Sequence, residues 1–152
     1  MHPYRLDAFD SGEAGPLGVV EEGRVRWLAA LPLATGGLRV DTGKLPPAQA
    51  WPRVEIVMSH AGAAGHTVRS LCAPTPGVPP VRGLIVAATG NGTVHHALEQ
   101  ALAEAQAAGI WVVRSTRCAQ GQVVAGPESA PLPLTPWPPV KARIALMLDL
   151  IA

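Results

Sequence analysis

Several things are scarce in these 152 residues, and each scarcity excludes a class of function. Cysteine occurs twice, at Cys72 and Cys118, in unrelated contexts, so a disulfide framework is not expected. There is no C-x-x-C pair and no pair of histidines four apart. His95 and His96 are adjacent, so on a helix they would point about 100° apart and could not clamp one ion together. They read as solvated surface histidines, and neither a metal nor another cofactor is expected. Net charge is only +1, with Lys and Arg scattered rather than gathered into a stripe, which argues against a nucleic-acid surface. No apolar run is long enough to cross a bilayer, so no membrane partner is expected. The polar, Gly-rich start MHPYRLDAFDSGEAG lacks the pattern of a signal peptide. Nor is there a nucleotide signature: the residue three beyond Gly92 is His95, which breaks G-x-G-x-x-G, and no Gly-Lys-Ser/Thr follows to make a phosphate loop.

What is present is apolar: 48% of residues, enough for a core in one ordinary domain with an appendage. Sixteen prolines and sixteen glycines concentrate in Ala30–Pro52, Pro74–Pro80 and Gly126–Pro139, which read as loops and linkers. Val19-Val20 and Val25–Leu28 flank a Glu-Glu-Gly turn and predict a β-hairpin, which as a lone pair of strands needs a surface to lie on. Three short β-branched runs follow: Val54–His60, Gly83–Thr89 and Ile110–Thr116. They are nearly continuous rather than alternating, as strands buried on both faces of a parallel sheet are. A short helix is expected over His66–Ala73, and a longer one over Val94–Ala108 with Thr93 as its N-cap and Gly109 closing it. A short strand around Leu132–Leu134 and a last helix complete the pattern. That helix would start with Pro139 at its first position and carry Val140, Ile144, Met147, Leu148 and Ile151 as its apolar stripe. The fold class is therefore α/β: a small open parallel β-sheet flanked by helices, three-layered and Rossmann-like, preceded by a β-hairpin and linker. Residues 1–50 form the extended segment, hairpin and linker, and residues 51–152 the α/β domain.

Open parallel sheets bind ligands at the carboxyl ends of their strands. That edge would collect Ser59-His60, the turn Gly90-Asn91-Gly92-Thr93, and Ser115–Cys118. The turn reads two ways. It is either plain punctuation with Thr93 capping a helix, or an anion-favouring helix N-terminus. Glu128, the only charged residue of the loop 118–130, reads either as a solvated carboxylate or as a group that recognises a cation. Ser59 and His60 are neighbours on one strand, so they point to opposite faces and make no nucleophile–base pair.

With these residues placed, the chain resembles the C-terminal part of bacterial-type L-asparaginases, the asparaginase/glutaminase family. The matching segments are YRLDAFDSGEAGPLGVVEEGRV (Tyr4–Val25), PRVEIVMSHAG (Pro52–Gly62), RGLIVAATGNGTV (Arg82–Val94), GIWVVRSTR (Gly109–Arg117) and PPVKARIALMLDL (Pro138–Leu150). The resemblance implies hydrolysis of the side-chain amide of asparagine, and often of glutamine, to the acid and ammonia. It also implies that the nucleophilic threonine belongs to a larger first domain, in a T-G-G-T-I motif. Thr35-Gly36-Gly37 matches only half of that motif and falls in the linker, so this chain alone is expected to be inactive. The residue after Gly-Asn-Gly, usually Asn or Ser, is Thr93 here, and Glu128 stands at the family's distance from Arg117. The resemblance implies that these two, with Asn91 beside them, bind substrate in the active site of a neighbouring subunit, where they hold its α-ammonium group. The implied partners are asparagine or aspartate, once the first domain is present, and other copies of the chain in a homo-oligomer. The alternative is a stand-alone α/β ligand-binding or interaction domain without hydrolase activity. The sequence departs from the family's pattern in the Pro74–Pro80 insertion, in Ser59-His60, and in the extra methyl of Thr93.

Overall fold

The computed structural model describes Tyr4, residues 11–12, 15–30, 41–121, 123–124 and 132–151. The chain divides into two compact units, Met1–Gly37 and Leu38–Ala152. In the first, β1 (Gly18–Glu21) and β2 (Arg24–Trp27) pair antiparallel, with Glu21 opposite Arg24. The two-residue turn has Glu22 at φ 48° and Gly23 at φ 76°, the double positive φ of a primed turn whose twist matches that of its strands. Across the ribbon the Arg26 guanidinium donates to both oxygens of Glu21 at 2.9 and 3.0 Å.

The second unit begins with two short 3₁₀ turns, Thr42–Lys44 and Ala48–Ala50, inside the Pro-rich stretch. Three parallel strands follow in sheet order β3-β4-β5: β3 (Arg53–Met58), β4 (Val81–Ala88) and β5 (Trp111–Thr116). The strand expected around Leu132–Leu134 is a single parallel bridge from Leu134 to Arg114. It is fixed by Arg114 N–H to the Pro133 carbonyl at 2.7 Å and Thr135 N–H to the Arg114 carbonyl at 3.0 Å. Pro131 and Pro133 lack N–H groups, so a longer ladder here would lose its donors.

The continuous apolar runs are explained by a helix layer on each face. On one side, α1 (His66–Cys72) and α2 (His96–Ala107) cover Val57, Leu84, Val86 and Val112, with Leu98, Ala101, Leu102 and Ala105 as the inward stripe of α2. On the other, α3 (Pro139–Asp149) covers Val54 and Ile85 with Ala142, Leu146 and Met147. Pro139 takes the first helical position as expected. The stripe of α3, however, is rotated from the expected one: Val140 and Ile144 face outward, and Ala142 and Leu146 take the core. The cause lies in the sheet. Gly83 leaves a hole where a Cβ would sit 2.7 Å from Leu146 Cδ2, and Arg143 Nε donates to the Val54 carbonyl at 2.7 Å, so both fix the helix phase.

α1 and α2 are bridged by Arg69 and Glu104, whose side-on pair measures 2.8 and 3.0 Å and holds the carboxyl of Glu104 below its ordinary range. The pair is half exposed, so it adds little stability. The closeness of the helices depends more on Gly65, where a Cβ would lie 2.5 Å from the Ala101 Cβ and 3.2 Å from the Ala97 carbonyl oxygen. Gly65→Ala must therefore push α1 off α2. A loss of about 1–3 kcal/mol is expected from such overpacking, read as a lower urea midpoint with an unchanged slope. Cys72, partly buried at the end of α1, has its thiol pKa raised by burial, with Arg53 opposing weakly. It is the less reactive kind of cysteine.

Candidate functional site

The three strands end together, and their carboxyl edge is organised around the Gly90–Thr93 turn. The turn closes on itself: Thr89 N–H and Thr89 Oγ1 donate to the Thr93 carbonyl at 3.1 and 3.2 Å, while Gly92 and Thr93 N–H donate to the Thr89 carbonyl at 3.0 and 2.9 Å. The two glycines have positive φ, 48° at Gly90 and 86° at Gly92, which a side chain would strain.

Side chains from the surrounding elements then lock it. From β5, Thr116 Oγ1 donates to the Gly90 carbonyl at 2.7 Å and Arg114 Nη1 donates to the Gly92 carbonyl at 3.0 Å. After β3, the buried Ser59 Oγ accepts the His95 N–H at 3.0 Å. From the loop after β5, Val124 is gripped by the side chain of Asn91: Nδ2 donates to the Val124 carbonyl at 3.0 Å, and Oδ1 accepts the Val124 N–H at 2.7 Å. The amide of Asn91 thus acts as a short piece of strand that ties the turn to the 118–130 loop. Two hydrogen bonds through one planar group fix orientation as well as distance.

Thr93, the expected N-cap, lies two residues before the observed one. The helix starts at His96, and its N-cap is His95, whose Nδ1 accepts the Ala97 N–H at 3.3 Å. Thr93 is drawn instead into a bridge with Thr89. Its side chain is exposed, and its hydroxyl makes no hydrogen bond to any described residue. His95 is extended rather than helical, so the expected divergence of the two histidines fails: their rings stack at 4.4 Å. Ser59 and His60 do separate, Ser59 inward to the turn and His60 outward, with its Nδ1 2.9 Å from the Ala61 carbonyl oxygen. Glu128 and Thr35 lie outside the described residues. The residue that sequence reasoning passed over is Arg114, a charge in the middle of the apolar run Trp111–Thr116. A lone cation in a strand buried on both faces was the available signal, because such a group needs a dedicated acceptor.

The class these features define is a three-layer α/β domain that carries a rigid Gly-Asn-Gly turn at the carboxyl edge of its parallel sheet. The Glutaminase/Asparaginase C-terminal domain family matches residues 53–151, and the chain belongs to that family. Among solved structures it is similar to a probable cytoplasmic L-asparaginase from Campylobacter jejuni. The two are 29% identical with a TM-score of 0.81, over 98% of this chain and 45% of that one. The chain therefore spans less than half the length of that enzyme, and corresponds to its C-terminal part.

Proposed function

We propose that this chain furnishes the substrate-positioning wall of an L-asparaginase active site, in the class of enzyme that hydrolyses asparagine, and often glutamine, to the acid and ammonia. The Thr93 hydroxyl and the Glu128 carboxylate, lent to a neighbouring subunit of a homo-oligomer, take the α-ammonium group of the substrate. The observation that carries this reading is the state of Thr93: an exposed hydroxyl with no partner among the described residues, on a turn locked by Thr116, Arg114, Ser59 and Asn91. A hydroxyl carried on a backbone held this rigidly binds with a reduced ordering cost, which is what a positioning group requires. A carboxylate and a hydroxyl suit an ammonium, since charge-assisted hydrogen bonds are about twice as strong as neutral ones. In this reading Asn91 serves the substrate through the loop it grips. The wall orients and does not attack, so the nucleophile and its base come from another domain.

The test is ammonia release from asparagine by the 152-residue chain alone. No turnover above the buffer rate is expected. Robust turnover that survives Glu128→Ala would sink the proposal, because it would require a nucleophile within these residues and no need for the wall.

A further inference from the structure

Asn91 is the only asparagine among the 152 residues, and Gly92 follows it. That pair carries a chemistry of its own. The backbone nitrogen of the following residue can attack the side-chain amide, and a glycine there has no side chain to hinder the approach. Asparagine is a thermolabile residue for this reason. Asn91 is exposed, so water reaches it. Both groups that would react are nevertheless occupied. The attacking nitrogen is that of Gly92, whose N–H donates to the Thr89 carbonyl at 3.0 Å. The Asn91 amide is held on both sides by Val124, Nδ2 donating to its carbonyl at 3.0 Å and Oδ1 accepting its N–H at 2.7 Å. An amide committed in both directions to a residue thirty-three positions away is not free to turn onto its own main chain.

We propose that Asn91 is a site of spontaneous deamidation, kept latent by its two hydrogen bonds to Val124. When those bonds open, the Gly92 nitrogen attacks Asn91 Cγ. The N–Cγ bond forms and the Cγ–Nδ2 bond breaks. Nδ2 leaves as ammonia, carrying the proton that the Gly92 nitrogen gives up. The five-membered imide then takes up one water. Opening at Cγ yields aspartate, and opening at the main-chain carbonyl yields isoaspartate. Neither product restores the grip. Aspartate sets a carboxylate oxygen against the Val124 carbonyl where Nδ2 had donated, and two acceptors repel. Isoaspartate adds a methylene to the backbone of a turn that Thr116 and Arg114 hold through the Gly90 and Gly92 carbonyls. Thr93, two residues along, is displaced with it. The change runs one way, so it marks each chain by how long its Asn91–Val124 contact has stood open.

The experiment incubates the full chain at mildly alkaline pH and follows the mass gain of amide-to-acid conversion, with peptide mapping for aspartate and isoaspartate at position 91. Two hydrogen bonds of ordinary net strength predict that the folded wild type reacts roughly tenfold to a hundredfold more slowly than the same chain unfolded in urea. Val124→Pro removes the N–H that Oδ1 accepts, and is expected to react about tenfold faster than the folded wild type. Val124→Ala keeps both backbone groups and should match the wild type. Folded wild type reacting as fast as the unfolded chain, or Val124→Pro reacting no faster than Val124→Ala, overturns the proposal. Should Val124→Pro not fold, the wild type in urea below its unfolding transition decides. Its deamidation should rise in step with hydrogen exchange of the Val124 amide, and a rate indifferent to that exchange overturns the proposal. Asn91→Asp, which is the product of opening at Cγ, should exchange that amide about tenfold faster than the wild type; unchanged exchange would mean that the grip survives the reaction. The readouts are mass and exchange rather than turnover, so this proposal and the function proposed above can fail separately.

Discussion

Leu102→Ala is expected to lower the stability of the α/β unit by about 3 kcal/mol, within the 2–5 kcal/mol typical of such truncations. Leu102 is fully buried on the inward stripe of α2 and shares its cluster with Leu84, Val86 and Val112. The site has little freedom to collapse. The strand side is mostly β-branched and held in register by ladders on both sides of β4, and the helix neighbours, Ala101 and Ala105, have no side-chain length to extend into a void. Domains of this size have roughly 5–15 kcal/mol in total, so the loss is a large share and should lower Tm by about 12 °C or more. Urea unfolding followed by circular dichroism measures it. Val140→Ala is the internal control: Val140 is 71% exposed, and its truncation should fall within about 0.5 kcal/mol. Equal losses at the two positions would mean that α3 presents the other stripe to the core.

Thr93→Val is expected to lower kcat/KM for asparagine about tenfold to a hundredfold in an assembly competent for hydrolysis, and to leave stability unchanged. The substitution is close to isosteric and removes only a hydroxyl that bonds no described residue; the turn is closed by the Thr93 backbone, which valine keeps. A hydrogen bond to a charged group is worth about 1.5–3 kcal/mol, and each 1.4 kcal/mol is tenfold in rate. If the hydroxyl grips substrate and transition state alike, the loss falls on KM with kcat preserved. Thr93→Ser should restore the wild-type value. A Thr93→Val enzyme with unaltered kcat/KM would remove Thr93 from the wall.

The architecture was legible because β3, β4 and β5 are continuous β-branched runs with a capped amphipathic helix between the last two, and only a covered parallel sheet accommodates that pattern. Details that depend on what lies opposite a residue were not. Thr93 reads as an N-cap because Thr favours that role, yet the Thr89–Thr93 bridge claims its backbone and leaves His95 to cap. The phase of α3 is set by Gly83, sixty-three residues before Leu146, and no periodicity within the helix records it. The grip of Asn91 on Val124 likewise spans thirty-three residues. The turn, by contrast, could be placed at the strand edge from Gly90-Asn91-Gly92 alone, since the positions that need positive φ are glycines.

The sheet order leaves β3 paired with β4 on one side and with no described strand on the other. An unpaired ladder is a template on which a second chain can add, and on β3 it runs beside partly exposed Ile56 and Met58. Pro52 enters the strand without a donor, and Arg53 and Glu55, paired at 2.8 Å, put charge along its first half. Charges and a proline on an edge are how natural sheets discourage such addition. The Arg53–Glu55 pair thus matters less for holding the fold together than for discouraging a second chain from adding to this edge strand.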